Sequence, residues 1–160
     1  MPTTVYVTMK GVKSGDITGD STVKHREGNI EVMQFDHDIR KPTDTFTGQT
    51  TGHRIHSPIV LWKAMDQSSP ILYNVLCEGE TLSEVNIKLY ETDPAGGERQ
   101  RFNIKLENAH VAEIKTFMPN TKDSEREHYA YHEAVSLTYS RITWEDKAFQ
   151  KVATDDWVVR

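Results

Sequence analysis

The chain predicts a mainly β domain, a small sandwich or barrel of about seven strands with one short helix. Three observations carry this. Apolar residues recur at every second position in most segments, turn residues arrive at hairpin spacing, and only Met65 to Gly79 has helix chemistry. At 160 residues the whole of 1–160 reads as a single domain, long enough to bury a core.

Thr3 to Met9 alternates, with Val5, Val7 and Met9 on one face and Thr4, Tyr6 and Thr8 on the other. Gly11, Gly15 and Gly19 punctuate a polar turn region, and Asn29 to Phe35 reads as a second strand. From about 36 to 56 the pattern changes: Pro42, Gly48 and Gly52 sit among Thr, Asp, Gln and His, with almost no aliphatic residue. A stretch of about 20 such residues is a long loop or a protruding hairpin, and such segments are commonly functional. It cannot bury itself, so it is expected to dock on something.

Ile55 to Met65 is a continuous apolar run, expected to be a strand buried on both faces. The helix follows over about 69–78. Ser69 is placed to accept as N-cap, Pro70 suits the first helical position, and Gly79 suits a left-handed terminator. Ile71, Leu72, Val75 and Leu76 form one apolar stripe, and Cys77 beside it reads as a buried, inert thiol.

Leu82 to Tyr90 alternates again, and Pro94 to Gly97 is a turn. In Arg101 to Met118, Phe102, Ile104 and Leu106 share a face. Val111, Ile114 and Phe117 then follow out of phase, which predicts a bulge or corner at Glu107-Asn108. Pro119 to Glu127 is a charged turn, Tyr129 to Trp144 one long strand, and the tail ends Asp155-Asp-Trp-Val-Val-Arg160.

Charge and composition narrow the function classes. The net charge of −5, with Lys and Arg interleaved among acids, lacks the basic patch that nucleic-acid binding requires. Pro58 to Trp62 is far too short an apolar run to span a bilayer, so no membrane insertion is expected. No basic-then-apolar leader opens the chain, and Cys77 is the one cysteine, so folding in a reducing cytoplasm is expected. Any export should then use a route that reads no cleaved signal.

Chemistry-bearing motifs are sparse. His53 and His56 lie three apart, which on a strand puts them on opposite faces. His128 and His132 lack a His-Glu-x-x-His pattern and read as solvated or inter-subunit residues. Gly19-Asp-Ser-Thr22 lacks the partners of a hydrolase nucleophile, and Asp16, Thr18 and Asp20 lack a calcium-loop register. No cofactor or metal site is expected. The competing readings are an all-β metal-dependent hydrolase using His53, His56, His128 or His132, and a monomeric ligand-binding barrel.

Fixed phrases add a further line. Gly15-Asp-Ile-Thr18, Phe35-Asp-His-Asp-Ile39 and Thr47-Gly-Gln-Thr-Thr-Gly-His-Arg-Ile-His-Ser-Pro58 come first. Lys63 to Leu76 with Gly79-Glu80 is the most specific; Lys105-Leu-Glu-Asn-Ala109, Val135-Ser-Leu-Thr-Tyr139, Ile142-Thr-Trp144 and Asp155-Asp-Trp157 follow. In this order, over nearly the whole chain, they resemble the hemolysin-coregulated protein (Hcp) family, the tube subunit of the bacterial type VI secretion system. The match is weakest between Asp20 and Glu31.

The resemblance implies a small two-sheet β-barrel with one flanking helix, assembled as a homo-hexameric ring. Rings would stack into a hollow tube that carries a VgrG-type tip protein and is expelled when a contractile sheath shortens. Effector proteins would ride in the lumen, with the subunit as receptor and chaperone and not as an enzyme. Thr47, Gly48, Gln49, Gly52, His53, Arg54, His56, Asp156 and Trp157 are the candidate ring or stack contacts. The subunit would be made in the bacterial cytoplasm and then secreted.

Overall fold

Twelve strands and one helix lie among the described residues, 3–126 and 131–157, of the computed structural model. The strands are β1 (Thr4–Gly11), β2 (Gly15–Ile17), β3 (Ile30–Val32), β4 (Gln34–Asp36), β5 (Ile39–Arg40), β6 (Ile55–His56), β7 (Ile59–Ala64), β8 (Leu82–Thr92), β9 (Glu98–Phe117), β10 (His132–Thr138), β11 (Arg141–Asp146) and β12 (Lys151–Asp156). Helix α1 (Ser69–Glu78) joins β7 to β8. The count exceeds the expected seven because several expected strands bend and change partner.

β9 shows how. Its first half pairs with β8 on one side and β11 on the other, and its second half pairs with β10. The expected break falls at the hand-over: Asn108 has φ 50°, and the register with β10 slips between Ser136 and Leu137. One layer therefore runs β12-β11-β9-β8-β1, with β2 and β3 along the far edge of β1. The other runs β9-β10-β7-β4. The expected strand over 29–35 is really two, bent at Met33, where β3 on β1 gives way to β4 on β7. The Met33 amide donates to the Trp62 carbonyl at 2.8 Å. Among the described residues no strand pair closes the barrel edge to edge; this short bent segment spans the gap.

Val7, Ile87 and Leu106 from one layer meet Ile59, Leu61, Val135 and Leu137 from the other in one apolar core. Each such side chain contributes roughly 1.5–3 kcal/mol on burial. Tyr6, on the opposite face of β1 from Val5 and Val7, is buried too, because the Arg26 guanidinium lies over its ring at 5.0 Å and over Tyr90 at 4.2 Å.

Several expectations need correction. The 55–65 run is not one strand buried on both faces: Ser57-Pro58 interrupts it, and β7 alternates, with Ile59, Leu61 and Lys63 in and Val60 and Trp62 half-out. The 129–144 segment breaks at Tyr139-Ser140 into β10 and β11, and its start, with His128, lies outside the described residues. Of the helix stripe, Leu72 and Val75 are buried, while Ile71 is exposed and Leu76 half-buried, since α1 lies on one sheet face only. Cys77 is exposed for the same reason. Gly79 does close the helix in the left-handed region, at φ 69°.

Ser69 is not the N-cap. Ser68 takes that position without a side-chain cap bond, and Ser69 Oγ is committed elsewhere. It donates to Glu133 Oε1 at 2.6 Å and accepts from the Asp66 amide at 3.0 Å. Lys63, 0% exposed, is ion-paired with the equally buried Glu133 and lies 3.1 Å from Asp66. A buried charge pair thus fastens the start of the helix to β7 and β10.

Candidate functional site

The polar stretch 36–56 folds as a hairpin. β5 pairs with β6, Ile39 opposite His56 and Arg40 opposite Ile55, and Thr43 bridges to Thr50 further out. The Thr51 amide donates to the Pro42 carbonyl at 2.8 Å, and the Asp44 amide to the Gln49 carbonyl at 2.7 Å. At the tip, Asp44 Oδ1 accepts from the Phe46 amide at 2.8 Å, an Asx turn, and Gly48 adopts φ 72°, which favours glycine. Phe46 stands 97% exposed on this ordered turn.

The base is clamped to the C-terminal strand. Arg54 Nε donates to Asp155 Oδ2 at 2.5 Å, and its Nη2 to the Asp156 carbonyl at 2.6 Å. His56, 2% exposed, has both ring nitrogens engaged: Nε2 with Asp155 Oδ2 and Nδ1 with the Tyr139 hydroxyl, each at 2.7 Å. The Trp157 ring stacks on His56 at 5.3 Å, and Tyr139 meets it edge-on at 5.4 Å. An ionised Asp155 only accepts, so Nε2 carries the proton and Nδ1 accepts from Tyr139 in the neutral ring.

Electrostatics match this geometry. Hydrogen bonds from Arg54, then His56, hold the Asp155 carboxyl below its usual range against a partial desolvation. Burial, then the Asp155 charge, pushes the Tyr139 hydroxyl well above its usual value. A Tyr-His-Asp line resembles a catalytic relay, but a phenol so buried and so hard to ionise is a poor nucleophile. Tyr139 and His56 are only 4% and 2% exposed, so neither presents a reacting atom at the surface. The line is a structural pin.

The candidate contact residues divide in space. Thr47, Gly48 and Gln49 are at the exposed tip, and Gly52 and His53 are exposed on the returning limb, Gly52 against the Pro42 ring. Arg54, His56, Asp156 and Trp157 come together at the base. Sequence reasoning missed Tyr139 and Asp155 in this cluster, and it missed Phe46, although a lone large apolar residue in a polar loop was a usable signal.

The metal reading gains nothing here. His53 is exposed and His56 packed away, and no group of three or more His, Cys, Asp or Glu among the described residues could hold an ion. Of the two expectations for His132, solvated or inter-subunit, the solvated one fails: its ring is buried and lies on Phe117 at 5.6 Å. It lines an apolar groove of about 530 Å³ with Met33, Trp62 and Phe117, at the end of β7 away from the hairpin.

Comparison with known proteins places this architecture. Residues 6–145 match the model of a family described as type VI secretion system effector, Hcp. The chain is similar to the "Major exported protein" of Pseudomonas aeruginosa, 34% identical over 98% of this chain and 96% of that one. Among solved structures it is similar to a mutant Hcp1 from E. coli EAEC 042, at 38% identity and a TM-score of 0.85 over 96% of this chain and 98% of that one. It is also similar to the secreted protein Hcp3 of Pseudomonas aeruginosa, at 30% identity and a TM-score of 0.79 over 98% and 99%. With the family model matched over residues 6–145 and a relative 34% identical over 98% of this chain, the protein belongs to the Hcp family of the type VI secretion system.

Proposed function

We propose that this chain is a non-enzymatic, secreted tube subunit: it forms homo-hexameric rings that stack into a hollow tube. The tube carries a VgrG-type tip, is expelled when a contractile sheath shortens, and holds effector proteins in its lumen. The observation that carries the reading is the hairpin. It is ordered along its length and pinned at its base, yet exposed in the single chain, as a surface kept for contact with other copies would be. Thr47, Gly48, Gln49, Gly52 and His53 supply that surface, and Arg54, His56, Asp156 and Trp157 stand at its root. A ring would carry a charge on the order of −30, which restrains spontaneous stacking and leaves room for nucleation by a partner.

Native mass and electron microscopy test this. Purified chain should give a ring of six times 18.3 kDa and, when concentrated, stacked rings. Gly52→Trp is the cleaner probe of the hairpin, because a Cβ there meets the Pro42 ring first, at ordinary contact distance, whereas any substitution at Gly48 also strains a left-handed backbone. Gly52→Trp should leave the melting curve unchanged and weaken assembly. Rings and stacks formed by this variant as readily as by wild type would sink the hairpin's role.

A further inference from the structure

We infer that His37 is an acid-sensitive pin at the root of the hairpin. Neutral, it holds the outgoing limb of this arm against β11 through Trp144. Protonated, it releases that limb while the returning limb stays clamped. The device works within one chain and does not depend on what the hairpin touches.

The two limbs leave the body by different fastenings. Arg54 and His56 hold the returning limb to Asp155 of β12. His37 stands in the short link between β4 and β5, where the outgoing limb begins. The Trp144 indole N–H, from β11, donates to His37 Nε2 at 3.1 Å. An indole nitrogen only donates, so His37 Nε2 carries no proton. The neutral ring therefore keeps its proton on Nδ1, which is buried with no hydrogen-bond partner among the described residues. Beside it, Asp38 stays tied to Ser57: its carbonyl accepts from the Ser57 amide at 3.1 Å and its carboxylate from the hydroxyl at 3.3 Å. That tie makes the link a hinge and not a free end.

His37 cannot take a second proton without loss. A proton on Nε2 sets two donors face to face and ends the bond to Trp144. The cation gains nothing from the indole in return, because it meets the N–H edge, the positive side of the ring quadrupole. His56 differs. Its Nδ1 faces the Tyr139 hydroxyl, which can turn from donor to acceptor, and its Nε2 faces a carboxylate. The charged groups that face His37 are His56 from β6, with Asp155 behind it, and Asp38 from the link itself; β11 brings the uncharged Trp144. Burial first, then His56, holds the His37 ring below the usual imidazole value, against the opposite pull of Asp38.

The unfolded chain thus takes up this proton first. The pin is fully in place above the ordinary imidazole value of about 6.5 and is lost as pH falls through the folded value. The Asp155 clamp holds to about pH 4, so acid frees the limbs in order, outgoing before returning.

The test compares wild type, His37→Gln, His37→Ala and Trp144→Phe at about pH 7.5 and about pH 5. Hydrogen exchange, corrected for intrinsic rates, is read separately over residues 37–44 and 53–57, with native mass recorded at both pH values. In wild type, acid should speed exchange of 37–44 roughly fivefold and leave 53–57 unchanged. His37→Gln presents a carbonyl that accepts from Trp144 and does not titrate, so its outgoing limb should stay slow at both pH values. His37→Ala and Trp144→Phe each remove one side of the bond and should be fast at both. The indole N–H resonance of Trp144 in wild type should titrate with a midpoint below about 6.5. An acid response in His37→Gln equal to that of wild type, in exchange or in native mass, would overturn the inference. So would limbs that loosen together, or a Trp144 midpoint at or above the ordinary imidazole value. None of these outcomes bears on whether rings form.

Discussion

Strand β7 has a charged fastener near each end, and the two differ in kind. Toward its C-terminal end Lys63 and Glu133 are wholly buried and pin the helix. Before its N-terminal end, Arg54 and Asp155 keep side chains 25% and 28% exposed and pin the hairpin to β12. A buried pair leaves an uncompensated charge in the core if one partner goes, whereas a half-exposed pair is compensated by water. The first therefore governs whether the chain folds. The second governs where an already folded chain holds its arm.

The largest effect that could break this contrast is at the buried pair. Lys63→Met should cost about 3–5 kcal/mol, lowering the melting temperature by roughly 6–20 °C. The double change Lys63→Met/Glu133→Leu should recover most of that. A single variant that melts as wild type would show that the pair is not the fastener. Leu72→Ala, in the helix face that the pair holds down, should cost about 2–5 kcal/mol by chemical unfolding.

Arg54→Ala sharpens the other side. Global stability should fall by no more than roughly 1 kcal/mol, while amides of the hairpin lose protection far more than those of β8 or β9. Uniform loss across the chain would make the clamp part of the core.

The smallest effect is with pH. Asp155 has a lowered folded pKa, so its contribution is fully present above the unfolded carboxylate value of about 3.9 and is lost as pH falls through the folded value. Tyr139 has a raised one, so its contribution is present below the unfolded phenol value of about 10 and is lost as pH rises from there. Amide exchange of 40–52, corrected for intrinsic rates, should show the losses from these two groups only below about pH 4 and above about pH 10. A loss traced to either group at neutral pH would count against the clamp's chemistry.

Much of this was readable along the chain. Period-two alternation located β1, β8 and the core faces of β9 and β10, because it reports which side of a strand meets the core. Pro70 and Gly79 bracketed the helix, and the run without aliphatic residues marked the hairpin. The misses share a cause. Lys63 and Glu133 are 70 residues apart and look like surface charges on their own strands. Tyr139 passes for one more core aromatic until His56, 83 residues away, is set beside it.

The sequence by itself thus settled the class of fold, the single helix and the segment that stands clear of the body, since these follow from local chemistry and periodicity. Tertiary structure alone brought Asp155, Tyr139 and Trp157 to the hairpin base and turned Ser69 from a cap into a network member. Periodicity says which face of a strand is dry but not which strand lies next to it. That choice is made by long-range register, once the whole barrel has packed.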